Sequence, residues 1–126
     1  MLTDTEIQDV VTAHLECAIW ADWPDEDAAN VAELSDEGIE MLRESVHAFV
    51  DDESIGADLR LWADTFGAGQ IGHDLWLTRN RHGAGFWARD TSGGPVTAAG
   101  RRLTDAAHAM GPLDLYFGDD DKVHVA

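Results

Sequence analysis

The chain has 126 residues and a hydrophobic fraction of 44%, which fits one folded domain and excludes a disordered acidic tail. A single cysteine excludes an internal disulfide framework and a cysteine-rich zinc site, and no apolar run approaches the roughly 20 residues that a membrane span needs. The net charge of −17 makes naked nucleic acid and anionic membranes poor partners, and the acidic N-terminus predicts no signal peptide.

The first part of the chain begins with a predicted helix and a loop. Thr3 followed by Glu6 has the pattern of a capping box, and apolar residues then recur at helical spacing. The first helix is therefore expected over residues 4–20. Residues 21–34 contain a proline and a run of acids, which predicts a loop with a short helical turn near residues 28–34.

Two further helices are predicted before residue 70. Ser35 is a favourable N-cap residue, and two acids follow it in the first turn, where they suit the helix dipole. The buried stripe of this second helix is expected to consist of Ile39, Leu42, Val46, Phe49 and Val50. A shorter third helix is predicted over residues 57–66, ending at Gly67.

A β-hairpin is predicted next. Residues 73–79 alternate in polarity as a strand does, residues 80–83 suit a turn, and residues 84–89 read as the returning strand. In this register Trp76 lies opposite Trp87, with both indoles on the same face of the sheet. If that face is exposed, the two tryptophans form an anchor for a partner; the alternative is that the N-terminal helices cover them.

The remaining elements complete an α+β prediction. A helix is expected over residues 97–110, and residues 113–117 and 122–125 are expected to form a second hairpin. The predicted order is ααα-ββ-α-ββ, in which N-terminal helices pack on an antiparallel sheet. Within this single domain of residues 1–126, residues 1–70 form an acidic helical part and residues 71–126 a hairpin–helix–hairpin part.

The charge is distributed unevenly between these two parts. Residues 1–70 carry a net charge of −16, and residues 71–126 carry −1. Such asymmetry predicts an acidic interaction surface. The acids expected to form it are Asp22, Asp25, Glu26, Asp27, Glu33, Asp36, Glu37, Glu40, Glu44 and Asp51. The surface could imitate a short stretch of DNA, and the alternative is an acidic face that only keeps the protein solvated.

A second candidate site lies in the central segment. His73, Asp74, Arg79, Asn80 and His82 are residue types that can act in acid–base catalysis or bind a metal. The same polar residues also suit a turn, and no known metal-binding spacing is present. We therefore expect a structural hairpin with no catalytic, cofactor or metal site, and we keep a small enzyme or metal-binding protein as the alternative.

Three further features are expected to be structural. Gly67, Gly69 and Gly72 match a dinucleotide-binding pattern, but the strand before and the helix after them are missing, so a flexible helix-to-strand connection is expected. Cys17, at the edge of an apolar helix face, is expected to be an inert core thiol. The acids at positions 119–121 lack the spacing of a calcium loop, which predicts a solvated turn.

Three segments of the chain resemble a family of small acidic proteins encoded by bacteriophages and prophages. They are LECAIW at residues 15–20, HDLWLTRNRHGAGFW at residues 73–87 and DLYFGDD at residues 114–120. The chain departs from the family in residues 21–34 and 55–68. The family is uncharacterised, so the resemblance implies a phage context and the host cytoplasm as location, but it implies no activity.

Charge and resemblance together favour a binding protein. The expected function is inhibition of a host nucleic-acid-handling or defence complex, of the anti-restriction or anti-CRISPR kind, by electrostatic mimicry of nucleic acid. The expected partner is a host protein with a basic surface, and neither nucleic acid nor a membrane is expected to bind directly. An accessory phage protein without mimicry is a further alternative.

Overall fold

Six α-helices precede one antiparallel pair of strands in the described part of the chain. The computed structural model describes residues 1–24 and 33–126. The short helical turn predicted near residues 28–34 lies largely outside the described residues. The elements are α1 (Asp4–Asp22), α2 (Asp36–Val50), a 3-10 turn (Glu53–Ile55), α3 (Gly56–Phe66), α4 (Ala68–Arg79), α5 (Phe86–Arg89), α6 (Pro95–Met110), β1 (Leu115–Phe117) and β2 (Val123–Val125).

The three N-terminal helices confirm their predictions. At α1, the Thr3 hydroxyl accepts from the Glu6 backbone N–H at 3.1 Å, and the Glu6 carboxylate accepts from the Thr3 N–H at 2.9 Å. At α2, the Ser35 hydroxyl accepts from the Gly38 N–H at 2.9 Å. Each cap satisfies a backbone donor that the first helical turn leaves without a partner, so these starts are set by local chemistry.

The first predicted hairpin is wrong, because residues 73–79 belong to helix α4. Gly67 has a φ of +93° and connects α3 to α4 through a single residue, so there is no helix-to-strand connection at these glycines. Helix α4 is buried on nearly all sides, by α1, α3, α5 and α6. A helix without a solvent-facing side does not show polar residues recurring every 3.6 positions. The short alternation of polar and apolar residues in this segment therefore predicted a strand.

The returning strand predicted over residues 84–89 is also wrong. Gly85 has a φ of +132°, a conformation that favours glycine, and the chain then forms the short helix α5. The Phe86 backbone N–H donates to the Thr78 hydroxyl at 3.2 Å, which ties α5 to α4. Trp76 and Trp87 therefore do not form a cross-strand pair.

The last helix and the second hairpin confirm their predictions. Helix α6 starts two residues earlier than expected, at Pro95, and β1 pairs with β2. The register is Leu115 with Val125, Tyr116 with His124 and Phe117 with Val123. The described residues therefore fold as a mostly helical α+β structure with one small sheet, and the predicted order ααα-ββ-α-ββ is not confirmed.

Close contact between α1 and α4 organises the core. Gly72 on α4 faces the α1 backbone, where a methyl group would lie 2.8 Å from the His14 nitrogen and closer still to the Val10 carbonyl oxygen. The His14 Nδ1–H donates to the Gly72 carbonyl at 2.9 Å, and the His14 ring meets Trp76 edge-on at 5.4 Å. Only glycine at position 72 allows this approach.

We predict that Gly72→Ala strongly destabilises the fold and that Gly69→Ala does not. Overpacking a tight interface costs typically 1–3 kcal/mol, whereas a methyl group at position 69 meets only Ala13, at 3.8 Å. Because alanine is the better helix former, Gly69→Ala is expected to match or exceed the wild-type stability. Urea unfolding followed by circular dichroism measures both variants, and equal stabilities would contradict the tight contact.

We also predict a loss of stability in mild acid. Burial lowers the pKa of His14 to about 4 from its ordinary value near 6.5, and its Nε2 has no hydrogen-bond partner in the described part of the chain. Between these values the unfolded chain binds the proton and the folded chain does not, so stability falls as the pH falls. The free energy of unfolding should drop by about 2 kcal/mol from pH 7.5 to pH 5.

His14→Gln removes the titrating ring and should flatten this pH dependence. The matched control is His47→Gln, since His47 is exposed on α2 and its replacement should leave the dependence intact. If His14→Gln does not fold, the His14 ring of the wild type can be titrated by NMR. Protonation of that ring above pH 6 would contradict the prediction.

Candidate functional site

Helix α2 and its C-cap residue present an acidic face to solvent. Its carboxylates lie within an arc of about 100° around the helix axis, given 3.6 residues per turn, opposite the buried Leu42, Val46 and Phe49. All are exposed, and we call them the α2 acidic face: Asp36, Glu37, Glu40, Glu44 and Asp51. Half of the acids predicted for a partner surface thus share one helix face.

The other predicted acids are placed differently. Asp25, Glu26 and Asp27 lie outside the described residues. Glu33 is half-buried, two residues before the Ser35 cap. Asp22, at the end of α1, accepts hydrogen bonds from Trp76 Nε1 at 2.6 Å and from His82 Nε2 at 2.7 Å. Asp22 therefore holds the turn after α4 in place, and its charge is less available to a partner than the charges of the α2 carboxylates.

The α2 acidic face is poorly neutralised by the protein itself. Its one ion pair joins Glu40 to Arg43 at 3.5 Å, with both side chains about half exposed. Within the described residues, the other four members, Asp36, Glu37, Glu44 and Asp51, have no ion-pair partner. Like charges four residues apart on a helix repel each other, so these carboxylates lower the stability of α2.

Elsewhere in the described chain, Arg60, Arg89 and Arg102 are paired with acids. Arg60 donates to both Glu6 and Asp64, at 2.6 and 2.7 Å, and this contact lowers the pKa of Glu6 to about 2. Arg102 binds Asp58 through two hydrogen bonds of 2.8 Å. Because these bases are already engaged by other acids, they do not neutralise the α2 acidic face.

Asp74, a residue of the alternative enzyme site, lies fully buried in a structural network. Its carboxylate accepts from Trp62 Nε1 at 3.1 Å and Gln70 Nε2 at 3.0 Å. Arg89 adds hydrogen bonds from Nε and Nη2 at 3.0 and 2.9 Å. Four donors from three residues saturate the carboxylate and join α3, α4 and α5. A carboxylate held in this way stabilises the fold and has no access to a substrate.

Arg79 and Asn80 close the C-terminal end of α4. The buried Arg79 donates to the Gly111 carbonyl at 2.9 Å and to the Ser45 hydroxyl, and burial lowers its pKa to about 10. The Asn80 side chain donates to the Trp76 carbonyl at 3.1 Å and accepts from the Leu113 N–H at 2.9 Å. Both residues fasten the chain around α6 and β1 to the helix bundle.

The five residues of the alternative site do not form one constellation. None of the side chains of His73, Asp74, Arg79, Asn80 and His82 bonds to another of them. In the part of the chain that the structure describes, no group of three His, Cys, Asp or Glu side chains is arranged to hold a metal ion. Cys17 is buried as predicted, and burial raises the pKa of its thiol to about 12.

The predicted tryptophan anchor is corrected in part. Trp76 on α4 is 0% exposed because α1 and α2 cover it, as the alternative prediction had it, so it cannot touch a partner, whereas Trp87 on α5 is 49% exposed. The most exposed tryptophan is Trp20, at 73%, which the sequence interpretation did not single out. Its position one turn after Glu16, on the polar side of α1, was the available signal.

Trp20 borders a shallow groove between α1 and the turn that follows α4. The groove has a volume of about 450 Å³ and is lined by Trp20, Ala21, Leu77, His82 and Ala84; we call it the Trp20 groove. The His73 ring lies 6.1 Å from the Trp20 ring at 37°. A smaller cavity of about 210 Å³ on the other side of His82 is lined by Asp22, Asn80 and residues 112–115.

No family model, curated protein or solved structure matches this chain. The bacteriophage resemblance therefore stays a prediction that rests on the three sequence segments. None of the helices described is both long enough and apolar enough to cross a membrane.

We predict that Asp74→Asn destabilises the fold by about 2 kcal/mol, because hydrogen bonds to a buried charged group contribute roughly 1.5–3 kcal/mol. Asp64→Asn is the matched control, since Asp64 also pairs with an arginine but its side chain is 62% exposed, and a much smaller loss is expected. Thermal and urea unfolding measure both. A stable Asp74→Asn protein would contradict the structural role.

Proposed function

We propose that this protein binds the basic surface of a protein partner through the α2 acidic face. One observation carries the proposal: five carboxylates lie exposed along one arc of α2 and its C-cap, and four of them have no ion-pair partner among the described residues. Solubility needs a net charge of only about 2–8 in magnitude for a small domain, and this chain has −17. The excess favours a role in recognition.

The spacing of the face supports mimicry of nucleic acid. Asp36 and Asp51 are 15 residues apart, which is about 22 Å along a helix that rises 1.5 Å per residue. A single DNA strand carries about one phosphate per 3.4 Å of axis, or six to seven over that length. Five carboxylates therefore approach the charge density of one DNA strand. The face has no counterpart to the second strand, so it imitates only one side of a short stretch of duplex.

The three segments that resemble phage proteins favour a role during infection of a bacterial host. A phage protein of this charge acts in the host cytoplasm on a host complex that handles nucleic acid, and it blocks the surface where phosphates bind. Inhibitors of restriction or CRISPR complexes are the class that fits this description. Nucleic acid itself is not the ligand, because the net charge of −17 repels it.

We predict that Glu37→Lys, Glu40→Lys and Glu44→Lys, combined in one variant, abolish capture of the partner from a bacterial host lysate. The three side chains are exposed and lie off the buried stripe, so circular dichroism should show an unchanged fold. Wild-type binding should weaken steeply with salt, because exposed charges are screened beyond about 8 Å at physiological ionic strength. A short DNA duplex should displace the captured protein.

The matched control reverses the same number of charges elsewhere. Asp9→Lys, Asp105→Lys and Asp119→Lys change exposed acids on α1, on α6 and in the turn between β1 and β2 that have no ion-pair partner in the described chain, and the net charge changes equally. The partner should be lost by the α2 variant and retained at least in part by the control. Equal capture by both variants would sink the proposal, and loss without displacement by DNA would favour an accessory role without mimicry.

A further inference from the structure

The exposure of Trp20 contrasts with the burial of other tryptophans. Trp62 and Trp76 are 0% exposed, whereas the Trp20 indole is 73% exposed at the mouth of the Trp20 groove. Burying an exposed indole removes a large apolar surface from water, which is favourable. Tryptophan is also enriched among the residues that dominate binding energy at interfaces. The groove beside it offers apolar walls at Leu77 and Ala84.

Two carboxylates lie near the groove, although neither lines it. Glu16 lies one helical turn before Trp20 on α1 and is exposed. Asp22 bonds to His82, a wall of the groove, through Oδ2 only, so Oδ1 has no hydrogen-bond partner among the described residues. Arg81, in the same turn as His82, is exposed but does not line the groove. Two carboxylates beside an exposed indole favour a cationic ligand.

A second copy of this chain is a poor occupant. Two copies would bring together net charges of −17 each. Like charges facing each other across an interface oppose association. A positively charged group, by contrast, gains from the carboxylates and from the electron-rich face of the indole at once.

We propose that the Trp20 groove receives an arginine side chain of the basic partner. The guanidinium stacks on the Trp20 indole near Glu16 and Asp22, and its methylene stem lies against Leu77 and Ala84. Arginine is favoured over lysine because its planar, weakly hydrated group stacks on aromatic faces. This inference rests on the proposed function and adds a second contact to it: α2 supplies long-range attraction, and Trp20 anchors one side chain.

The test uses a hexaarginine amide peptide as probe, with affinities measured by isothermal titration calorimetry at low salt. Trp20→Ala should weaken binding about two- to fivefold, the effect of one exposed cation–π contact, and Trp20→Phe should retain most of the affinity. Trp87→Ala is the matched control, because it removes another half-exposed indole, and should bind as the wild type does. Hexalysine should bind the wild type more weakly and should be insensitive to Trp20→Ala.

NMR on the wild type gives a readout that needs no variant. The Trp20 indole N–H resonance should shift saturably with hexaarginine, and that of Trp87 should not. Absence of this shift, or equal affinities of Trp20→Ala and wild type, would overturn the groove proposal. So would a wild-type dimer in sedimentation that Trp20→Ala dissociates, since the occupant would then be a second copy.

Failure of the groove and failure of the α2 acidic face are separable. The α2 triple reversal should weaken hexaarginine and hexalysine alike, because it removes charge and no aromatic surface. If α2 reversal abolishes partner capture while Trp20→Ala leaves hexaarginine binding unchanged, the proposed function stands and the arginine anchor is wrong. If Trp20→Ala weakens hexaarginine but partner capture survives α2 reversal, the anchor stands and the acidic face is wrong.

Discussion

The close approach of α1 and α4 at Gly72 is the contact on which the other elements depend. With no side chain at position 72, the backbones meet, and His14 and Cys17 reach carbonyl groups of the facing helix, at Gly72 and His73. The contact places α4 in the interior, where its two ends can be held by α3, α5 and α6. A buried neutral histidine is the chemical cost of this arrangement, since its protonation in place is unfavourable.

Polar groups on α4 hold the rest of the chain in place. Asp74 gathers donors from three residues at one side of the helix, and Arg79 and Asn80 fasten its last turn to the segments around α6 and β1. Buried charges are tolerated only when they are paired or hydrogen-bonded, so each of these side chains is committed to structure. The fold therefore explains the burial and bonding of Asp74, Arg79 and Asn80.

The exposed acids of the protein differ from these buried polar residues in how they are paired. Elsewhere in the described chain, arginines pair with four acids: Glu6, Asp58, Asp64 and Asp74. The carboxylates of α2 are exposed, and only Arg43 pairs with one of them in the described chain. The unpaired carboxylates of α2 repel one another, and a cationic partner would relieve that repulsion.

The sequence by itself determined the elements whose ends have local chemical signals. Thr3 and Ser35 cap α1 and α2, Gly111 ends α6, and the turn between β1 and β2 pairs the strands as predicted. It also located the acidic face, because exposed positions on an amphipathic helix follow from its period. Only the tertiary structure decided α4 and α5, since a helix buried on all sides has no polar stripe to reveal its period, and a four-residue helix has too few residues to show one. For the same reason the sequence left open whether Trp76 is exposed or covered by the N-terminal helices, and it gave no weight to Trp20. Whether an indole is buried depends on which helix packs against it, and that contact joins residues more than fifty positions apart.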